Sequence, residues 1–230
     1  MMRYIVLKEF YKFRFAFWVF VVMACFCCAW NFFEIQKGFE KIGAIMYALQ
    51  IMFNKNFTYN HLDEINIAFG AIIGLCSMFF ERHSARIRVQ FHFPHTYLKN
   101  IVTITLIPLV FLLGVYAVEI LTMFGIFSAF FPAEIVTALL STLIYSCAFG
   151  VAMFWLAQST LIEPHIRRVV ASIVAAVAMA FIYFKINPDI SRSSLYYLND
   201  KFWPYMAICW AFCLASLVAA LQNYKKGYIK

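Results

Sequence analysis

Six long apolar stretches alternate with shorter polar ones along this chain. They run over about 15–33, 65–80, 101–124, 135–157, 169–184 and 203–222. A helix needs about 20 mostly apolar residues to cross about 30 Å of hydrocarbon. Backbone amides inside lipid find no water, so each stretch must bond internally as a helix. The pattern predicts an all-α, polytopic membrane protein whose six transmembrane helices form one domain over residues 1–230.

Two flanking segments carry a weaker periodicity. In residues 1–14, Tyr4, Leu7 and Tyr11 follow an i, i+3, i+7 spacing, with Arg3, Lys8 and Lys12 off that stripe. This predicts an amphipathic N-terminal helix along the membrane surface that runs straight into the first span. Between the second and third spans, Glu81 opens a short helix. Arg82, Ala85, Arg86, Val89 and Gln90 share its spacing, Arg88 adds to its charge, and Pro94 closes it. Within the outer segment 34–64, residues 43–57 (GAIMYALQIMFNKNF) also read as helical. The connection GIFSAFFPAE, over 125–134, is apolar enough to dip into the membrane.

Composition agrees with the pattern. The chain is 64% hydrophobic and 13% charged, with a mean hydropathy of +0.79, whereas a soluble domain is about 25% charged. Charge then orients the spans. With the N-terminus placed inside, segments 1–14, 81–100, 158–168 and 223–230 carry thirteen Lys/Arg against three acids. The outer segments 34–64 and 185–202 carry six of each. A Lys/Arg excess on one face at every crossing is the positive-inside pattern. It predicts a cell inner membrane protein with both termini cytoplasmic. The net charge of +8 is spread over four short segments. That suits topology signals and excludes a nucleic-acid partner, which would meet one clustered basic surface.

Candidate chemistry is sparse. All seven cysteines lie within the spans, including Cys25, Cys27 and Cys28 in MACFCCAW and the i, i+4 pair Cys209 and Cys213. Among Phe, Trp and Ala they read as packing residues rather than metal ligands. None of the five histidines lies in a span, which disfavours haem. No metal and no other cofactor is expected. Glu119 lies deep in the third span, a functional candidate by default or a carboxylate snorkelling to the outer interface. Glu134 sits beside Pro132, where the chain turns back. No phosphate-binding glycine loop, zinc-protease helix or nucleophile elbow occurs, so the chain is predicted not to be an enzyme.

The layout resembles the permease subunits of ATP-binding-cassette exporters, in the polysaccharide-exporter branch. The residues that carry the likeness are Lys8-Glu9-Phe10 before the first span and Glu81 at the end of the second. An Arg-rich stretch then leads to Phe93-Pro94 and to Tyr97-Leu98-Lys99 ahead of the third. The outer segment 34–64 is longer than in the simplest members. A polar loop stands in place of the re-entrant hairpin between the fifth and sixth spans. The resemblance implies that Glu81, Arg82, Arg86, Arg88, Phe93 and Pro94 belong to a coupling helix that docks on a separate cytoplasmic ATPase. It implies a subsidiary contact through Glu163, Arg167 and Arg168. It also implies a homo- or heterodimer of permease subunits, surrounded by membrane lipid, working by alternating access. The alanines of the fifth span (Ala171, Ala175, Ala176, Ala178, Ala180) would allow close approach at a subunit seam shared with the first span. A different class of function also suits the sequence, a membrane anchor or assembly factor for a cofactor or metal-centre maturation system.

Overall fold

The computed structural model describes residues 2–54, 61–83, 97–185 and 202–228. They form seven helices: α1 (Met2–Ile42), α2 (Ala44–Asn54), α3 (Leu62–His83), α4 (Tyr97–Phe130), α5 (Ala133–Ile162), α6 (Ile166–Lys185) and α7 (Phe202–Tyr228). All but α2 are long and apolar enough to cross a membrane. The chain is therefore an all-helical, multi-pass membrane protein, as its hydrophobic pattern predicts.

Each helix runs further than its apolar stretch, because main-chain hydrogen bonding continues until something breaks it. α1 holds the predicted surface helix and the first span in one uninterrupted element, then continues past residue 33 through the charged Glu34–Lys41 segment. Its 41 residues make it roughly 60 Å long at about 1.5 Å per residue. Gly43 ends it. With φ +85° this residue turns the chain into α2 while its N–H still donates to the Phe39 carbonyl at 2.9 Å. α2 is the helical part of the outer segment. Tyr47 of α2 packs on Phe39 and Phe131, and Gly38 leaves room for that ring. The connection between α4 and α5 is only Phe131 and Pro132, with Phe131 buried.

Partners across the interfaces give the helix directions. Phe10, Phe20 and Phe39 of α1 meet Phe111, Tyr116 and Phe131 at the same successive levels, so α1 and α4 run parallel. Asn66, Gly70, Gly74 and Ser77 of α3 meet Ser146, Gly150, Phe154 and Gln158 of α5, again in parallel. α7 follows α5, from Tyr145 against Phe202 to Glu163 against Asn223. α6 runs the other way, with Tyr183 on Phe202 and the Tyr205 hydroxyl donating to the Met179 carbonyl.

α5 is the centre of the bundle and α6 its edge. In the most apolar stretch of α5, 72% of residues are buried, against 6% in α6. α6 is held chiefly by Tyr183, stacked on Phe149 with ring centroids 4.5 Å apart. Trp210 of α7 donates its indole N–H to the Ala148 carbonyl of α5 at 3.0 Å. The bundle has an apolar core, with Phe20, Leu112, Phe127 and Phe154 fully buried, and an apolar outer surface as well, with Phe15, Trp18, Val22, Val110, Leu121 and Ile208 exposed. Polar residues are a minority of the buried side chains. In the first turns of α1, Lys8 is exposed together with Leu7 and Tyr11, while Glu9 is buried and paired with Lys12.

Candidate functional site

Polar side chains gather in three places: an inner group, a second one further along the same seam, and one at the end of the bundle.

The inner group is built where α3, α4 and α5 meet. Glu119 is 3% exposed, so it does not snorkel to the interface. Asn66, fully buried on α3, donates to Glu119 Oε1 at 2.9 Å and lies 3.3 Å from Ser146 Oγ and 3.6 Å from Cys147 Sγ. Tyr116, one turn before Glu119, donates its hydroxyl to the Asn66 carbonyl at 2.7 Å. Gly150 makes this possible. A Cβ there would fall 2.2 Å from the Tyr116 hydroxyl and 2.7 Å from the Asn66 carbonyl oxygen. Two acceptors in the group, Glu119 Oε2 and Asn66 Oδ1, are buried with no hydrogen-bond partner among the described residues.

Towards the other end of the same seam, Gln158 donates to Ser77 Oγ at 3.1 Å, and Ser77 donates to the Gly74 carbonyl at 2.8 Å. Between the two polar groups the helices touch backbone to backbone. A Cβ on Gly70 would lie 2.2 Å from the Gly150 carbonyl oxygen, and one on Gly74 would lie 2.5 Å from that of Phe154. Such contact needs small residues, and Gly70-Ala-Ile-Ile-Gly74 is a GxxxG spacing, the signal in the sequence that marks this face.

The end group centres on Glu163. It caps the end of α5 with an extended backbone, in the three-residue turn before α6, and is 5% exposed. Its Oε2 accepts from Asn223 of α7 at 2.9 Å, and its Oε1 lies 3.0 Å from His165 Nδ1. The carboxylate thus ties the turn between α5 and α6 to the last helix. Arg167 and Arg168 follow on the first turn of α6, both exposed and without an ion pair among the described residues. Cations at a helix N-terminus oppose the macrodipole, so helix stability does not account for them.

The other predicted residues fall elsewhere. Glu81 and Arg82 lie on the last turn of α3. Arg86, Arg88, Phe93 and Pro94 lie outside the described residues. Glu134 is exposed on the first turn of α5, where an acid suits the helix dipole, and is not part of the Glu119 group. Asn66, Gln158 and Asn223 are the partners that inspection of single spans does not single out. Each polar link joins residues from 53 to 81 positions apart. Among the described residues no group of three or more His, Cys, Asp or Glu is arranged to hold a metal ion. Compared with protein-family models, curated proteins and solved structures, the chain has no significant match.

Proposed function

We propose that the chain is the membrane-spanning permease subunit of an ATP-binding-cassette transporter, working with a separate cytoplasmic ATPase. The observation that supports it best is the gathering of basic segments at one end of a six-helix bundle. The end of α3 leads there into the Arg-rich stretch 81–100. The Glu163-anchored turn presents Arg167 and Arg168 at the same end, and α7 finishes there. In this reading that end faces the cytoplasm of an inner membrane, and both termini lie on it.

The mechanism requires no covalent step in this chain. ATP binding closes the ATPase dimer, and the segments docked on it are drawn together. The pull passes into α3 and α4, which flank the 81–100 segment, and through the Glu163–Asn223 tie into α7. Two permease subunits pair, because six helices form half a pathway. The sparsely buried, alanine-rich α6 serves as one wall of the seam.

The test is purification of the tagged chain from native membranes in mild detergent, with mass spectrometry of its companions. The expected result is a stoichiometric soluble protein with a phosphate-binding glycine loop, lost on Arg86→Glu or Arg88→Glu. Absence of any ATPase at every detergent strength would sink the reading. It would favour a membrane anchor or assembly factor instead.

A further inference from the structure

The hydrogens around Glu119 are already committed. Asn66 Nδ2 carries two of them. It donates to Glu119 Oε1 at 2.9 Å and lies 3.3 Å from Ser146 Oγ. The Ser146 hydroxyl donates to the Leu143 carbonyl at 2.8 Å, and the Tyr116 hydroxyl to the Asn66 carbonyl at 2.7 Å. Cys147 Sγ lies 3.6 Å from the same amide nitrogen, and a thiol is a weak donor.

Two acceptors remain, Glu119 Oε2 and Asn66 Oδ1, one on each of two side chains that are already joined. Both atoms are fully buried, so no ligand reaches them from the surface. Nor does a cation balance the carboxyl. Glu119 makes no ion pair among the described residues. The titratable groups that face it are Tyr116 on its own helix, Cys147 on α5, and Cys27 and Cys28 on α1. From α3 it meets Asn66, a neutral amide.

An unmatched buried acceptor is costly, and an unpaired buried carboxylate more so. One hydrogen answers both atoms. Placed on Oε2, it turns one orphaned acceptor into a donor and gives the other a partner.

We propose that Glu119 is a proton-binding site, which holds a proton on Oε2 and shares it with Asn66 Oδ1. The amide N–H then donates to the carboxyl C=O, the carboxyl O–H donates to the amide C=O, and a neutral two-bond pair joins α3 to α4. The inference concerns this pair alone and holds whether or not an ATPase partners the chain.

Infrared difference spectroscopy tests it. The purified full-length chain is measured in neutral buffer in dodecyl maltoside, a detergent without a carbonyl group. The spectrum of Glu119→Gln is subtracted. That variant puts an N–H where the acid has its O–H, so it keeps both bonds and should unfold cooperatively. The difference is expected to show one carboxylic-acid C=O stretch, which moves down on exchange into D2O. It should lie below the position of an unbonded carboxylic acid in hydrocarbon solvent, and Asn66→Leu should move it up towards that position. The band and its position are also readable in the wild-type spectrum alone, because ionised carboxylates absorb elsewhere, so the test survives a variant that does not fold.

A carboxylate doublet in place of the acid band would overturn the proposal. If the doublet then shifted with sodium or lithium, a metal cation would occupy the site instead. An acid band at the unbonded position, or one that Asn66→Leu leaves in place, would overturn the pairing with Asn66.

Discussion

Asn66 and Glu119 sit on different helices, and neither is comfortable in hydrocarbon alone. Interhelical hydrogen bonds in membranes average about 0.6 kcal/mol and reach about 1.7. Removing one partner costs more than that, because the other is left buried and unmatched, about 1–3 kcal/mol. Asn66→Leu should therefore destabilise the bundle by roughly that amount, and Glu119→Leu should do the same. The double variant should recover much of the loss, since it removes both polar groups together. Reversible unfolding titrations of the four proteins in mixed micelles would measure this. Additive losses would mean that the two side chains act independently. The glutamate was visible in the sequence, because an acid inside an apolar run is conspicuous. Its partner was not, because the pairing depends on α3 lying against α4 and on Gly150 letting them close. A single sequence carries no measure of which spans are neighbours.

Among the elements, α3 and α5 make the tightest contact. Their glycines bring backbone against backbone, so a single methyl group is a severe test. Gly150→Ala should force the helices apart or break the Tyr116–Asn66 bond, at roughly 1–3 kcal/mol for overpacking. Gly114→Ala on α4 meets open space, and should instead stabilise by up to about 1 kcal/mol through helix propensity. Thermal unfolding midpoints moving in opposite directions would bear this out. The same fall at both sites would show that the glycines matter for flexibility rather than for contact. Helix positions were legible because each apolar run is long. Their ends were less so. An apolar stretch stops at the first charge, whereas α1 continues through Glu34, Lys37, Glu40 and Lys41 until Gly43 turns it. The helical character of residues 43–57 was also legible: α2 forms over Ala44–Asn54, and residues 55–57 lie outside the described residues.

For the whole molecule, the distribution of Lys and Arg makes one statement about sidedness, and it can be checked directly. In a variant lacking the seven native cysteines, Arg168→Cys and Glu134→Cys place exposed probes at opposite ends of the bundle. A membrane-impermeant maleimide should label position 134 in intact spheroplasts and position 168 only in inverted vesicles. The reverse pattern would turn the protein over and remove the basic segments from reach of any cytoplasmic ATPase. Six crossings and their common basic end were readable because lipid imposes both, through length and through charge. The centrality of α5 was not. Its apolar run resembles the others, and only the polar residues on it (Thr142, Ser146, Gln158, Ser159) hint that lipid does not surround it.

That central helix also sets an order of assembly. The chain enters the bilayer from its N-terminus, so α3 is already in place when α5 arrives. Both halves of the glycine seam then exist, and the Asn66–Ser146 and Ser77–Gln158 contacts can close at once. The opposite side of α5, with Tyr145, Ala148 and Trp155, has no mate until α7 leaves the ribosome. During that interval α5 is a half-covered helix, and the docking of α7 is the step that covers it.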